Sequence, residues 1–388
     1  MLRVLTLSTL FPDASRPRLG PFVERQTLGL AAHPDVELRV VAPLGLPPWP
    51  LTLHPRYRAL AALPVREVWK GVDLYRPRFL HIPGSEGRFD AAALAKSLSP
   101  LLTAIRREFL FDVIDAEFFF PDGPAAVEMG RRLGVPVSIK ARGSDIHYWG
   151  ANDPVRQQIV DAGCDAAGLL AVSDALKADM VAMGMPAGRI LVHRTGIDAS
   201  MFRIRDRPAE KTQRGISGPL IATIGGLLAR KGQHLVIEAL RTLPEARLVL
   251  IGDGPERARL EAQARAAGLA DRVIFTGSIE HEEIARWLAA ADVMCLASMS
   301  EGLANAWVEA LACGTPIVIT DVGGAREVVD TSDAGRLAAP DPAALAAAIS
   351  ELLADPPPRE ATRAVATRFS WDTNRDALYA HLAGLVSG

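Results

Sequence analysis

Short apolar runs and amphipathic stretches alternate along almost the whole chain. Arg3 to Ser8, Glu37 to Ala42, Asp112 to Ala116, Pro136 to Lys140, Gly168 to Ser173 and Arg189 to Val192 are runs of strand length. Near-continuous apolar runs suit parallel strands covered on both faces. Between them the spacing becomes helical, over Phe22 to Ala32, Phe89 to Phe109, the stretch opening at Pro121-Asp122-Gly123, and Asp174 to Met183. In the last of these Leu176, Met180 and Val181 face inward and Ser173 is the expected cap. The rhythm breaks at 203–218, a polar stretch with Pro208, Gly215 and Gly218 that reads as a linker. It resumes with strands at Leu220 to Ile224, Arg247 to Ile251, Val273 to Thr276, Ala291 to Ala297 and Pro316 to Thr320. Helices are expected at Gln233 to Leu243, His281 to Ala289, Ala343 to Leu353 and Trp371 to Val386. This alternation predicts an α/β fold with two doubly wound parallel sheets, whose ligand ends lie at the carboxyl ends of the strands.

Candidate chemistry gathers at two strand-turn-helix junctions of the second half. At 298–320 a polar turn, Ser298 to Gly302, follows an apolar strand. A helix with Leu303, Trp307, Val308 and Leu311 on one face comes next, and Gly314 and Pro316 end it. The first amides of a helix lack internal partners and sit at its positive pole, so they favour an anion. Glu301 lies in the turn and Glu309 farther along the helix. Two carboxylates beside a phosphate cradle suit sugar hydroxyls, for which they are acceptors. At 225–232, Gly225-Gly226-Leu227-Leu228-Ala229-Arg230-Lys231-Gly232 links a strand to a helix with a basic pair in the turn. It lacks the spacing of a Walker loop. Gly252-Asp253-Gly254 lacks the third glycine of a dinucleotide fingerprint, which weakens a nicotinamide-dependent dehydrogenase reading.

Composition narrows the field. The chain has 388 residues, 49% hydrophobic and 23% charged, which is ordinary for two globular domains. A net charge of −2 argues against a nucleic-acid binder that relies on a basic field. Cys164, Cys295 and Cys313 form neither a disulfide framework nor a metal pattern, and fit a reducing cytoplasm. The N-terminal strand is too short for a leader, and no apolar run has the length of a membrane span. No Asp and His cluster suggests a metal. Residues 43–89 are rich in proline and aromatics, and between 54 and 79 six basic residues (Arg56, Arg58, Arg66, Lys70, Arg76, Arg78) stand against Glu67 and Asp73. That mixture suits peripheral contact with an anionic membrane or a lipid diphosphate acceptor, and equally a solvated loop and hairpin.

The series Glu301-Gly302-x-x-Asn305-x-x-x-Glu309-Ala310-x-Ala312-x-Gly314-x-Pro316 resembles the Glu-x7-Glu motif of retaining glycosyltransferase family 4, of the GT-B fold. The resemblance extends over nearly the whole chain. It implies two Rossmann-like domains facing across a cleft: an acceptor domain, 1–205, with 371–388 crossing back to pack on it, and a nucleotide-sugar donor domain, 206–370. It implies a metal-independent hexosyltransferase-type enzyme without a cofactor, cytoplasmic and at most peripheral to the membrane's inner face. Its donor would be a nucleoside-diphosphate sugar. Its acceptor would be a glycan or lipid-linked glycan of surface polysaccharide or glycolipid synthesis. Glu309 would hold the ribose, Lys231 and Arg230 the diphosphate, and Glu301 with Gly302, Leu303, Ala304 and Asn305 the sugar. Gly225 and Gly226 would let the backbone approach the donor, as would Gly20 in the first loop.

The chain also departs from the family pattern. Gly226 stands where the family has arginine, with Arg230 the available substitute. Arg142, in Arg142-Gly143-Ser144-Asp145, and Glu117 stand where relatives carry histidine, and Arg194-Thr195 replaces Pro-Asn before Gly196. Arginine cannot exchange protons near neutral pH, so Arg142 is expected to supply charge and hydrogen bonds. Arg142, Glu117 and Asp145 form the expected acceptor side, although Arg142 and Glu117 could equally be a structural ion pair. Closure about 203–218 would complete the site. The alternatives are a GT-B nucleotide-sugar epimerase and a non-catalytic sugar-nucleotide-binding subunit.

Overall fold

The computed structural model describes residues 1–17 and 19–387; Arg18, before the Gly20 turn, and Gly388, at the end of the expected C-terminal segment, lie outside them. The chain forms two units, 1–196 with 371–388, and 197–370. It leaves the first unit after Gly196 and returns at Trp371. Beside these crossings the Ile197 amide donates to Phe369 O at 2.7 Å, and Ile197 bridges Ser370.

Among the described residues ten strands belong to the first unit: β1 (Leu2–Leu7), β2 (Val36–Val41), β3 (Leu44–Leu46), β4 (Arg66–Trp69), β5 (Val72–Tyr75), β6 (Arg78–Leu80), β7 (Val113–Ala116), β8 (Val137–Ala141), β9 (Gly168–Ala171) and β10 (Ile190–Val192). Eight make one sheet in the order β10-β9-β8-β7-β1-β2-β5-β4, and β3 and β6 pair separately. The sheet is parallel except for its edge hairpin β4-β5. Its order reverses between β1 and β7, so the loops after those strands diverge and leave a crevice for a ligand. The second unit holds β11 (Leu220–Ile224), β12 (Arg247–Ile251), β13 (Val273–Gly277), β14 (Val293–Leu296), β15 (Ile317–Thr320) and β16 (Gly335–Ala338). They form a parallel sheet, β13-β12-β11-β14-β15-β16, that reverses between β11 and β14.

The strands form where apolar residues run without interruption, because both faces are covered. β7, β8, β9, β11, β14 and β15 are buried at every position. A leucine with no exposure contributes about 1.5–3 kcal/mol, and in the first unit Leu378 and Leu382 of the Trp371–Ser387 helix are of this kind. That helix packs on Pro21–Ala31. Tyr379 stacks on His33 with ring centroids 4.0 Å apart, and His381 Nε2 lies 2.9 Å from Ser138 Oγ.

Two expectations need correction. Residues 203–218 are no open linker: Arg207–Gln213 is a helix inside the second unit. Asp206 caps it by accepting from the Ala209 amide at 3.0 Å, and Pro208 fits its first turn. Its polar residues face polar partners. Arg214 bonds Glu210 at 2.6 Å and Glu283 at 3.1 Å, and Lys211 pairs with Asp292. Composition alone does not separate such a helix from a solvated linker. The stretch 54–79 is likewise no free cationic surface. Arg76 is fully buried and donates to Glu67 at 2.7 Å and to Pro12 O at 3.0 Å. Arg78 donates to the carbonyls of Arg76 and Leu63, Lys70 pairs with Glu24 at 2.9 Å, and Arg66 with Asp73 at 3.3 Å. Only Arg56 and Arg58 of the six are left as exposed cations without an acidic partner among the described residues. No described helix is long and apolar enough to cross a membrane.

Candidate functional site

In the second unit the reversal between β11 and β14 brings together the two loops singled out in the sequence. The first runs from Gly225 through a short turn of helix, Ala229–Lys231, into the Gln233–Ala239 helix; the second runs from Ser298 into the Asn305–Ala312 helix. Backbone hydrogen bonds fix both. Met299 N donates to Arg230 O at 2.8 Å, joining them, and the buried Gln233 side chain donates to Gly226 O at 3.0 Å. Lys231 Nζ then meets Glu301 Oε1 in a salt bridge whose side chains are 15% and 10% exposed. For a pair so nearly withdrawn from water the desolvation cost offsets much of the attraction, but leaving one partner alone is costly.

A third loop supports Glu301. Gly324 N donates to Gly302 O at 2.7 Å. Gly323, at φ 52°, lies so close that a Cβ there would stand 2.0 Å from Glu301 O. Gly302 and Leu303 are buried, Ala304 is the N-cap, and Asn305 opens the helix. Among the described residues no side chain caps that helix; the Trp307 amide donates to Ala304 O at 3.1 Å, and the amides of Asn305 and Ala306 are left for another acceptor. Farther along, Glu309 Oε1 lies 3.4 Å from His281 Nε2. Phe202 stands edge-on to the His281 ring at 5.9 Å. His281, at the start of its own helix, had been read from sequence only as a helix boundary. Arg230 is exposed. Gly225 has φ 141°, whereas Gly226 is exposed, has an ordinary φ, and has no atom within 3.6 Å of where a Cβ would stand.

Gly20 belongs to the first unit, and the other expected donor residues belong to the second. It caps the Pro21–Ala31 helix at φ 55°, and a Cβ there would meet Leu10 O at 1.9 Å. The fold of its own loop therefore requires glycine. Glu117 follows β7 and Arg142 follows β8. Their side chains, 1% and 5% exposed, form an ion pair, and Arg142 Nε also donates to Glu117 O at 2.8 Å. Phe22 covers the guanidinium at 4.8 Å. Asp145 is fully buried. Its oxygens accept from the amides of Arg142 (2.9 Å), Gly143 (2.8 Å) and Phe119 (3.1 Å), and burial raises its pKa. The expected acceptor-side residues are thus drawn into an ion pair and a loop anchor, not held out as free ligands.

Sequence reasoning missed what lies under this pair. Asp115, Lys140 and Gln26 are all buried. Gln26 joins Lys140 to Glu117, and Lys140 touches His193 at 2.6 Å. Burial pushes Asp115 well up, with the Glu117 carboxylate adding to it, and pushes Lys140 down to about 7. The available signal was a lysine within a short strand, Val137–Ala141, whose other residues are uncharged. Among the described residues no three His, Cys, Asp or Glu side chains gather as a ligand set for a metal.

Comparison with known proteins bears on both units. Residues 206–369 match the family described as glycosyl transferases group 1. A Bacillus subtilis protein, named as a glycosyltransferase of teichuronic acid biosynthesis, is 27% identical over 83% of this chain and 82% of its own length. A D-inositol 3-phosphate glycosyltransferase of Xylanimonas cellulosilytica is 35% identical over 53% of this chain, and the match spans about half of that relative (55%). Among solved structures, sucrose-phosphate synthase of Thermosynechococcus elongatus shares the fold over 99% of this chain and 100% of its own, with a TM-score of 0.81 and 20% identity. Anabaena HepE, solved with UDP-glucose, does so at a TM-score of 0.75 and 20% identity, over 99% and 100%. The two Rossmann-like units share the fold of these solved structures, and residues 206–369 match the family of glycosyl transferases group 1.

Proposed function

We propose that this protein is a glycosyltransferase that moves a sugar from a nucleoside-diphosphate sugar to a hydroxyl of a glycan or lipid-linked glycan, with retention of configuration and without a metal. The observation that carries the donor assignment is the Lys231–Glu301 pair at the reversal between β11 and β14. A diphosphate bound there would meet the Lys231 ammonium and the uncapped amides of the Asn305–Ala312 helix. It would displace Glu301 from Lys231, and that carboxylate would turn to the sugar hydroxyls. Glu309, steadied by His281, would accept from the ribose hydroxyls. HepE, solved with UDP and with UDP-glucose, is a neighbour that takes such a donor.

In the transfer the bond from the anomeric carbon to the diphosphate breaks, and its electron pair leaves with the nucleoside diphosphate. The acceptor oxygen attacks the same face and forms the new glycosidic bond. Its proton passes to the departing phosphate. The charge developing on that phosphate is what Lys231 and the amides stabilise, and removing one such contact costs about 3 kcal/mol. Acceptor recognition would fall to the first unit, at the strand ends carrying Glu117 and Arg142. Surface polysaccharide or glycolipid synthesis fits the naming of the Bacillus relative.

The reading is tested with α-configured UDP-, GDP- and ADP-sugars, a glycan acceptor panel, and chelator present. An α-linked product by proton NMR supports it. A β-linked product contradicts retention, and activity abolished by chelator contradicts metal independence. Donor converted to an epimer without acceptor, or donor bound and never turned over, would favour the epimerase or the binding subunit.

A further inference from the structure

The charges beneath the first-unit loops form one connected chain. Lys140 is fully buried in β8, a strand with no exposed position. Its ammonium donates to Gln26 Oε1 and, at 2.6 Å, to His193 Nδ1. A lysine ammonium only donates and an ionised carboxylate only accepts, so the Gln26 amide has one workable orientation. Its oxygen takes Lys140 and its Nε2 gives to Glu117, which in turn holds Arg142. On the other side His193 Nε2 lies 2.8 Å from Asn374 O. A carbonyl only accepts, so Nε2 carries the ring proton and Nδ1 offers its lone pair to Lys140. Asn374 Nδ2 donates to Arg194 O at 2.7 Å. His193 and Arg194 lead into the crossing after Gly196, and Asn374 lies in the first turn after the return at Trp371. The crossings are close-packed here as well: a Cβ on Gly196 would stand 2.7 Å from Trp371 Cα.

We propose that Lys140 is a positioning residue, a single buried ammonium that holds the Glu117–Arg142 pair through Gln26 and both chain crossings through His193 and Asn374. Its use in transfer rests on reading the first-unit strand ends as the acceptor side; the connection itself does not. The groups facing it are Asp115 and Glu117 from the end of β7, Arg142 beyond β8, His193 beyond β10, Gln26 from the Pro21–Ala31 helix and His381 from the C-terminal helix. Burial and Arg142 push Lys140 down to about 7, while Glu117 and Asp115 pull the other way. Burial also holds His193 well below the usual imidazole range, which keeps the ring neutral and Nδ1 open to the lysine.

Nitrogen-15 NMR of histidine-labelled protein tests this, using wild type, Glu117→Gln, Lys140→Met and the double variant. The expected result is a neutral His193 with the proton on Nε2. Its Nδ1 resonance should shift on Glu117→Gln and stay put when the same change is made in the Lys140→Met background. An imidazolium, a proton on Nδ1, no shift on Glu117→Gln, or an equal shift without Lys140 would each overturn the proposal. Should Lys140→Met fail to fold, wild type and Glu117→Gln decide by the tautomer and the shift. Titrating the same samples with UDP reads the second unit separately, so a lost donor site and a broken Lys140 chain give different patterns.

Discussion

Single residues carry the chemistry, and their surroundings set what each can do. Glu301 is paired with Lys231, the cation that a diphosphate needs. Glu301→Gln is therefore expected to strengthen binding of UDP alone, by roughly tenfold for about 1.4 kcal/mol of lost competition, and to weaken binding of the intact sugar nucleotide. Calorimetry of both ligands on the variant checks this, and equal losses for the two would mean that Glu301 does not compete for Lys231. In the first unit, Asp122 is buried with one oxygen taken by the Thr9 amide at 2.8 Å and the other without a partner among the described residues. Burial pushes it up to about 8. Folded, it keeps its proton where the unfolded chain has lost it, so stability falls as pH rises from the unfolded value near 4 to about 8, by at most about 1.4 kcal/mol per pH unit. Asp122→Asn cannot titrate, so its Tm should gain on that of wild type as pH rises through that window; parallel Tm profiles would contradict the assignment. The network around Lys140 was hard to see in the sequence for a simple reason. Gln26, Asp115, Lys140 and His193 are far apart along the chain, and only the parallel order of β7, β8, β9 and β10 brings three of them to one end of the sheet.

At the scale of elements, legibility followed burial. β11, β14 and β15 read clearly because a strand covered on both faces is an unbroken apolar run, and the Asn305–Ala312 helix read clearly because Trp307, Val308 and Leu311 mark its inner face. Arg207–Gln213 was missed because its stability comes from a cap and ion pairs, which composition does not distinguish from a linker. Its cap gives a direct check: Asp206→Ala should cost about 1 kcal/mol in denaturant unfolding, and an unchanged midpoint would show that the helix stands without it. The turn at Gly323 gives a second check. Alanine there would carry a positive φ and drive a Cβ into Glu301 O, so Gly323→Ala should lower Tm, by at least roughly 1 kcal/mol of stability, and weaken donor-sugar binding with it. Alanine at Gly226 meets no such obstacle, so the same two assays should hardly change; a loss there would mean that the donor needs the bare backbone at that turn.

The molecule as a whole has two doubly wound units, each with its reversal of strand order and its own cluster of charges. The second unit holds a lysine, a glutamate and an uncapped helix start at that point, and a glutamate–histidine pair beyond. The first holds a connected buried network under the loops of β7 and β8, with Asp115 Oδ1 the atom left without a partner among the described residues. The sequence alone identified the second cluster almost completely, because motif and geometry coincide within two short loops. It named Glu117 and Arg142 in the first but not the groups that bury them. The central claim is that a nucleoside diphosphate binds at Lys231. Calorimetric titration of UDP, GDP and ADP into wild type, Lys231→Ala and Glu309→Ala tests it most directly. One nucleotide should bind, Lys231→Ala should weaken it by on the order of a hundredfold, and Glu309→Ala should weaken it too. Binding that survives Lys231→Ala unchanged, or no binding of any of the three to folded wild-type protein, would contradict it.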